Sequence, residues 1–360
     1  MRKHIFVGID LGDKKSVARI AEDREKSESF KFVNTRRGRQ RLLAEVKRRG
    51  EGADVVMAYE ASACGFVLRD EAVGQTLRCE VLAPTKMEKS AEQKKNKNDD
   101  RDAEDVLERI RAHVLAGNRL PVVWIPSMQI RDDRELTRSR TDLREKATQI
   151  KAQIQMLLKR FGMEKPSDLG KSWTLGFRAW LKALTESGHL GPGGRQTLAS
   201  LLRQLQFHEE EIQRIEKPIR QLADEPRYKP IVEALSAEKG VGLLGAMTYA
   251  TEIGYAGRFR RGRQTGKFIG LTPTSHESGQ QSDRKGHISR QGPPRLRKML
   301  CQATWVQVRH DPRARQLFHR LVERNPKKKK IAIVAVMRHL AVRLWHRMRQ
   351  AEIEMANKEA

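Results

Sequence analysis

Hydrophobic and polar positions divide the chain into three stretches with different periods. From residue 5 to about 83, short apolar runs alternate with helix-like segments. IFVGID (5–10) and SVARIA (16–21) are β-rich and separated by the turn Gly12-Asp13-Lys14. SFKFV (29–33), a helical stretch carrying Leu42, Leu43 and Val46, the buried-looking strand VVMAYE (55–60) and LRCEVLA (77–83) follow. Strands interleaved with helices predict an α/β domain. KMEKSAEQKKNKNDD (86–100) is polar and reads as a loop or mobile helix. A helix is then expected over 102–114, with Ala103, Val106, Leu107, Ile110 and Val114 on one face, before a strand-like VVWI (122–125) closed by Pro126.

The middle of the chain changes period. Leu136, Leu143, Ile150 and Leu157 fall seven apart, with Ala147, Ile154 and Phe161 as a companion row. Leu198, Leu205, Ile212 and Ile219, accompanied by Leu201, Ile215 and Leu222, repeat the spacing. Two heptad helices joined by a Gly/Pro/Ser-containing connection (162–195) predict an antiparallel hairpin, either a coiled-coil oligomerisation arm or part of an ordinary bundle. Pro218 should kink the second helix or end it early. The last stretch, about 228–350, is helical with interruptions: Lys239-Gly240-Val241-Gly242 precedes an apolar helix from Leu243 to Ile253, and a Gly/Ser/Pro-rich region (270–294) precedes two more helices. The expected division is 1–126, 127–226, 227–350 and a tail at 351–360.

Charge sharpens this picture. In 360 residues, 72 Lys and Arg face 45 Asp and Glu, a net charge of +27. That excess attracts polyanions, of which DNA and RNA are the commonest. The basic residues are spread along the whole chain and not gathered on one amphipathic helix, which disfavours a membrane surface. No stretch approaches the roughly 20 apolar residues that span a bilayer, and the N-terminal apolar run is cut by Asp10, so no membrane partner and a cytoplasmic, nucleoid-associated location are expected. Cys64, Cys79 and Cys301 are scattered, which argues against a disulfide framework or zinc ribbon.

Four acids stand out. Gly8-Ile9-Asp10-Leu11-Gly12 ends the first strand with a carboxylate, VVMAYE delivers Glu60 to the end of another, and Asp99 and Asp102 lie three apart at a helix start. Carboxylates converging from two strands and a helix suit Mg²⁺, a hard cation that takes oxygen ligands, in phosphodiester chemistry. Asp100, Glu104 and Asp105 compete with Asp99 and Asp102, and a solvated, capped helix start is the plain alternative. The order strand-Asp, strand-Glu, helix-Asp-x-x-Asp is that of an RNase H-like (RuvC-like), resolvase-type domain. Gly-Ile-Asp-Leu-Gly also opens actin-like ATPases and sugar kinases, but the second phosphate hairpin and adenosine loop of that fold are missing.

Toward the C-terminus, His276-Glu277-Ser278-Gly279 offers an exposed serine hydroxyl in an irregular loop near Arg284, Lys285, Arg290, Arg295 and Arg297. Guanidinium groups grip phosphate oxygens, so a serine among them suits serine-type DNA recombination. A Ser-Gly pair is commonly a simple turn, and Ser275, Ser282 and Ser289 are equal candidates. Gly240 and Gly242 before a helix are similar to the glycine hairpin of helix-hairpin-helix modules, which binds a DNA phosphate. Arg258, Arg260, Arg261, Arg263, Lys267 and the run Lys327 to Lys330 read as phosphate contacts or as a solvated face.

Together these residues resemble the DEDD transposases of bacterial insertion sequences, the insertion-sequence family one-ten with its eleven-eleven branch. The likeness covers nearly the whole chain. It is carried by Gly8-Ile-Asp10, Tyr59-Glu60-Ala61 and Lys97-Asn98-Asp99-x-x-Asp102-Ala103, then by Gly240-Val241-Gly242, Glu252-Ile253-Gly254, Arg258-Phe259, Gly270-Leu271-Thr272-Pro273, Glu277-Ser278-Gly279, Ile288-Ser289-Arg290-x-Gly292 and Leu296-Arg297. The resemblance implies a resolvase-like first domain, a coiled-coil arm, a mainly α C-terminal transposase domain and dimers pairing into a tetramer. It implies Asp10, Glu60, Asp99 and Asp102 as the Mg²⁺-binding tetrad and Ser278 as a nucleophile forming a phosphoserine link, in a composite site within one subunit or across two. It further implies that a structured guide RNA, encoded beside the gene, pairs with donor and target DNA. Asn98, Lys239 and Ala63 depart from the family pattern without removing a catalytic atom. A decayed element that keeps only nucleic-acid binding, and a junction-resolving nuclease using the N-terminal domain alone, are the competing functions.

Overall fold

The computed structural model describes residues 3–87, 98–275, 285–324 and 326–359. The chain forms two compact units, Met1–Ile125 and Pro126–Ala360.

The first unit is built on a mixed five-stranded sheet. The antiparallel run β1 (His4–Asp10), β2 (Lys15–Glu22) and β3 (Glu28–Val33) is followed by helix α1 (Arg36–Arg49). The chain then returns as β4 (Asp54–Glu60), passes through α2 (Val67–Val73) and adds β5 (Arg78–Leu82), giving the order β3-β2-β1-β4-β5 with β4 parallel to both β1 and β5. The central strands are apolar on both faces, as strands covered on both sides must be. Ile5, Val7 and Ile9 of β1 pack with Leu42, Leu43 and Val46 of α1. Phe6, on the opposite face, packs with Val106, Leu107 and Ile110 of α3 (Asp99–Ala116).

The α3 helix begins three residues earlier than its apolar stripe suggests, because Asn98 caps it: the Asn98 side chain accepts a hydrogen bond from the Asp100 N–H at 3.0 Å. The expected strand at 122–125 is reduced to a bridge between Val122 and Leu82, with the Val123 N–H donating to Val81 O at 2.8 Å. Pro121 and Pro126, which have no N–H to offer a ladder, bracket this segment.

The second unit is helical apart from a small ribbon, β6 (Pro273–Ser275) with β7 (Lys285–Ile288). Two long helices, α4 (Met128–Arg160) and α6 (Pro192–Asp224), pair antiparallel, with α5 (Leu175–Glu186) between them in sequence. Their direction follows from the cross-links: Asp133 meets Arg227 just past α6, Arg140 meets Glu216 and Lys151 meets Glu209. Ala147, Ile150, Ile154 and Leu157 bury against Leu198 and Leu205, as the heptad spacing predicts. Pro218 does not end α6, which continues to Asp224 because Ile219, Leu222 and Ala223 are held in the adjoining core.

That core gathers α7 (Lys229–Ser236), α8 (Leu243–Ile253), α9 (Gly262–Ile269), α10 (Pro294–His310) and α12 (Lys329–Glu359), while α11 (Pro312–Arg324) packs on the far part of α12. Two buried polar groups are satisfied across it: Tyr249 OH donates to Ala341 O at 2.8 Å, and Trp345 Nε1–H donates to Ala256 O at 2.9 Å. Residues 351–359 continue α12 instead of forming the expected tail, since Ala351 is buried and Glu352 accepts the Ala256 N–H at 2.9 Å. The long helical pair and the C-terminal helices are thus parts of one compact unit. No helix among the described residues is long and apolar enough to cross a membrane.

Candidate active site

Strand register brings the first two acids together. β1 and β4 run parallel with Ile9 opposite Tyr59, so Asp10 and Glu60 are the next residues on neighbouring strands, which lie about 4.8 Å apart. Side chains alternate along a strand, and Phe6 and Val56 both belong to the cluster beneath α3. Counting in twos through Gly8 and Ala58 places Asp10 and Glu60 on that same face.

The helix delivers the other two. A Cβ built on Gly8 would lie 2.3 Å from both Ala103 O and Leu107 N, so α3 crosses β1 in backbone contact at this glycine. Asp102 immediately precedes Ala103, while Asp10 is two residues beyond Gly8 on the strand. Asp102 is half-buried and Asp99, at the first helical position, is exposed. The α3 N-terminus faces this end of the sheet, and its dipole favours carboxylates there.

Two of the competing acids, Glu104 and Asp100, are drawn elsewhere. Glu104 accepts hydrogen bonds from Arg19 Nε at 2.7 Å and Ser27 Oγ at 2.5 Å, and Asp100 accepts from Ser29 Oγ at 2.8 Å. These pairs pin α3 to β2, to β3 and to Ser27 between them. Arg19, the hub, was not singled out from the sequence; its only trace there is a cation at an inward-facing strand position.

Asp10, Glu60 and Asp102 each engage a neighbour. Among the described residues no three His, Cys, Asp or Glu side chains are gathered closely enough to form a metal cluster. Register and the Gly8–Ala103 contact therefore place the strand acids and the start of α3 at one end of one sheet face, without a ligand cage among the described residues. The donor chemistry of these acids, oxygen only, fits a hard divalent cation.

In the second unit, Ser278 and Arg284 lie outside the described residues. The basic residues expected to grip phosphates divide into two groups. Arg260, Arg261 and Arg290 are exposed. Arg258 instead stacks on Phe259 and Phe268, 4.5 and 4.4 Å from their ring centres, and burial pulls its pKa down to about 10. Arg297 Nη1 donates to Ile269 O at 2.9 Å and Gly292 O at 3.0 Å, tying the start of α10 to the preceding loop.

The two glycines of the hairpin differ. Gly240 has φ +84°, and a Cβ there would meet Ala303 O at 2.6 Å, so packing alone demands it. Gly242 has ordinary extended φ and ψ, and a Cβ there would meet nothing within 4 Å.

Two family models cover separate parts of the chain. A model of DEDD transposases matches residues 7–163, and the model described as transposase IS116/IS110/IS902 family matches residues 232–319. Among curated relatives, the chain is 30% identical to a family 20 transposase of Pseudomonas aeruginosa over 70% of this chain and 72% of that protein. It is 26% identical to y4qE of Sinorhizobium fredii, which carries the name of a transposase, over 97% of this chain and 90% of that one. It is also 26% identical to the transposase for insertion sequence element IS1111A of Coxiella burnetii, over 60% and 56% of the two chains. The N-terminal match includes Asp10, Glu60 and the acidic start of α3, and the C-terminal match includes the glycine hairpin and Ser278. The chain belongs to the IS116/IS110/IS902 family of insertion-sequence transposases, enzymes of DNA strand cleavage and transfer.

Proposed function

We propose that this transposase cuts and rejoins DNA with a carboxylate centre on an RNase H-like first unit and with Ser278 as nucleophile in the second. One observation carries the first half of this reading. Parallel register sets Asp10 beside Glu60, and the Gly8–Ala103 contact brings in the helix bearing Asp99 and Asp102. Those four residues would hold Mg²⁺ or a related divalent cation, which when bound stabilises charge on phosphate oxygens.

The protein's own groups do the rest. The Ser278 Oγ attacks a DNA phosphorus, an Oγ–P bond forms and a P–O bond to deoxyribose breaks. The serine proton passes to the departing oxygen as a sugar hydroxyl. A second sugar hydroxyl attacking the phosphoserine reverses these changes and frees the serine, so strands rejoin without an external energy source. Exposed Arg260, Arg261 and Arg290 would hold the DNA backbone.

The net charge of +27 suits polyanions and supports a second one beside DNA, the structured RNA expected to guide the enzyme to donor and target. The antiparallel pair α4–α6 would serve as the coiled-coil arm of a homo-oligomer, dimers joining into a tetramer. Expression of the gene with its native flanking DNA, purification of the protein and sequencing of bound RNA test the guided mechanism. One discrete RNA from beside the gene is expected. Heterogeneous RNA or none would remove guidance and leave a DNA-only transposase.

A further inference from the structure

A cavity of about 380 Å³ opens in the second unit where α4, α6, the glycine hairpin and α10 meet. Arg140, Arg144, Arg220, Arg295 and Lys298 line it, and among the described residues no carboxylate does. The acids that neutralise these cations stand behind them. Glu216 pairs with both Arg140 at 2.7 Å and Arg220 at 3.3 Å, Asp142 pairs with Arg295 at 2.6 Å, and Glu145 pairs with Lys298 at 3.0 Å. Five cations against three carboxylates leave the cavity electropositive, and Arg144 has no side-chain partner among the described residues. The Arg295 Nε is buried and likewise unbonded.

The N-terminal turn of α8 forms part of the same cavity wall. Gly242 to Gly245 lie in it, and Gly242 caps α8 with no side-chain hydrogen bond, so the first N–H groups of that helix lack a capping partner. Unlike Gly240, Gly242 is required neither by packing nor by its φ and ψ. A missing side chain in such a place keeps the backbone open to close approach by a ligand.

We infer that this cavity is a phosphodiester site, in which one backbone phosphate of a bound nucleic acid sits between Arg144, Arg295 and the α8 N-terminus. It deepens the nucleic-acid reading above by joining the long helical pair to the glycine hairpin in a single grip. The phosphate can belong to DNA or to RNA, since their phosphodiesters are alike.

Two substitutions test the site without undoing the fold. Arg144→Gln breaks no ion pair among the described residues, and Gly242→Ala adds a methyl where nothing stands within 4 Å. Binding of the full chain to a labelled DNA duplex and to a labelled RNA hairpin is measured from low to moderate salt, alongside melting temperature. Each variant is expected to melt with wild type, to bind at least one probe about tenfold more weakly, and to lower its log–log salt slope by about one. Loss with DNA alone or with RNA alone names the strand that supplies the phosphate. If wild type binds neither probe, the broader nucleic-acid reading falls and this site with it. If wild type binds and both variants keep its affinity and slope on both probes, the site is refuted while the broader reading stands. A melting shift in Gly242→Ala leaves Arg144→Gln to decide.

Discussion

Gly8 of β1 and Ala103 of α3 touch through their backbones, with so little room that a Cβ on Gly8 would sit 2.3 Å from the Ala103 carbonyl oxygen. This contact sets how far α3 stands from the sheet, and hence how near Asp102 comes to Asp10. A methyl at Gly8 cannot be absorbed by a side-chain shift, because the nearest atoms it would meet, of Ala103 and Leu107, are backbone. Gly8→Ala should cost about 1–3 kcal/mol, the usual range for overpacking. Urea unfolding should show a lowered midpoint, and strand transfer should fall further than the stability loss alone accounts for. A midpoint equal to wild type would mean that the helix does not rest on the strand.

A second expectation concerns the base of the long helical pair. Asp133, 5% exposed, accepts the Tyr228 hydroxyl at 2.8 Å and pairs with Arg227. Asp133→Ala leaves the buried Tyr228 hydroxyl without its acceptor and Arg227 with Glu225, 2.7 Å away, and should cost about 2–3 kcal/mol, at or below the low end for a broken buried pair because Arg227 is partly exposed and keeps that partner. Tyr228→Phe removes one charge-assisted hydrogen bond and should cost about 1–2 kcal/mol. Denaturant midpoints of the two variants against wild type check both values and their order.

The middle of that pair should respond to acid. Hydrogen bonds from Arg178 at 2.7 Å, and then from Lys151, hold the Glu209 carboxyl below the ordinary glutamate range. A carboxylate whose pKa is lower folded than unfolded stabilises the fold above its unfolded pKa and loses that contribution as pH falls through its folded value. Acid should therefore loosen α5, through Arg178, and α4, through Lys151, from α6 below the usual glutamate range. Glu209→Gln should lower stability at neutral pH and flatten the acid limb. Unfolding midpoints of wild type and variant across pH measure this directly, and parallel acid limbs would assign the sensitivity to other carboxylates.

Strand ends were readable from the sequence because alternation and turn residues mark them locally: Asp10 and Glu60 both stand where an apolar run stops. Their adjacency was not, since it depends on β4 returning parallel to β1 across α1. The choice among the acids of α3 was similarly hidden. Asp100 and Glu104 are taken by Ser29, Ser27 and Arg19, residues more than 70 positions away. Arg258 and Arg297 look like phosphate ligands as letters, yet one stacks on two aromatic rings and the other ties down carbonyls. Charge alone does not tell a guanidinium aimed at solvent from one spent inside the fold. The heptads of α4 and α6 were legible in spacing, whereas the continuation past Pro218 was not, because it rests on Ile219 and Leu222 anchoring the helix beyond it.

The basic cluster in the C-terminal unit should separate by role. Arg260→Gln, at an exposed position, should weaken DNA binding and leave melting unchanged. Arg258→Ala should lower the melting temperature through lost stacking on Phe259 and Phe268. Paired melting and anisotropy measurements distinguish the two behaviours. A reversal would mean that Arg258 leaves its aromatic slot to meet the nucleic acid.

The most direct test of the central claim is covalent capture of DNA. The purified transposase, with any RNA it carries, is incubated with end-labelled donor DNA and Mg²⁺, denatured, and assayed for a labelled protein adduct. Wild type should give an adduct that mass spectrometry assigns to Ser278. Ser278→Ala should give none while still binding DNA, and Asp10→Asn should lose strand transfer. An undiminished adduct or full strand transfer in Ser278→Ala would contradict the account and shift the chemistry to the carboxylate unit alone.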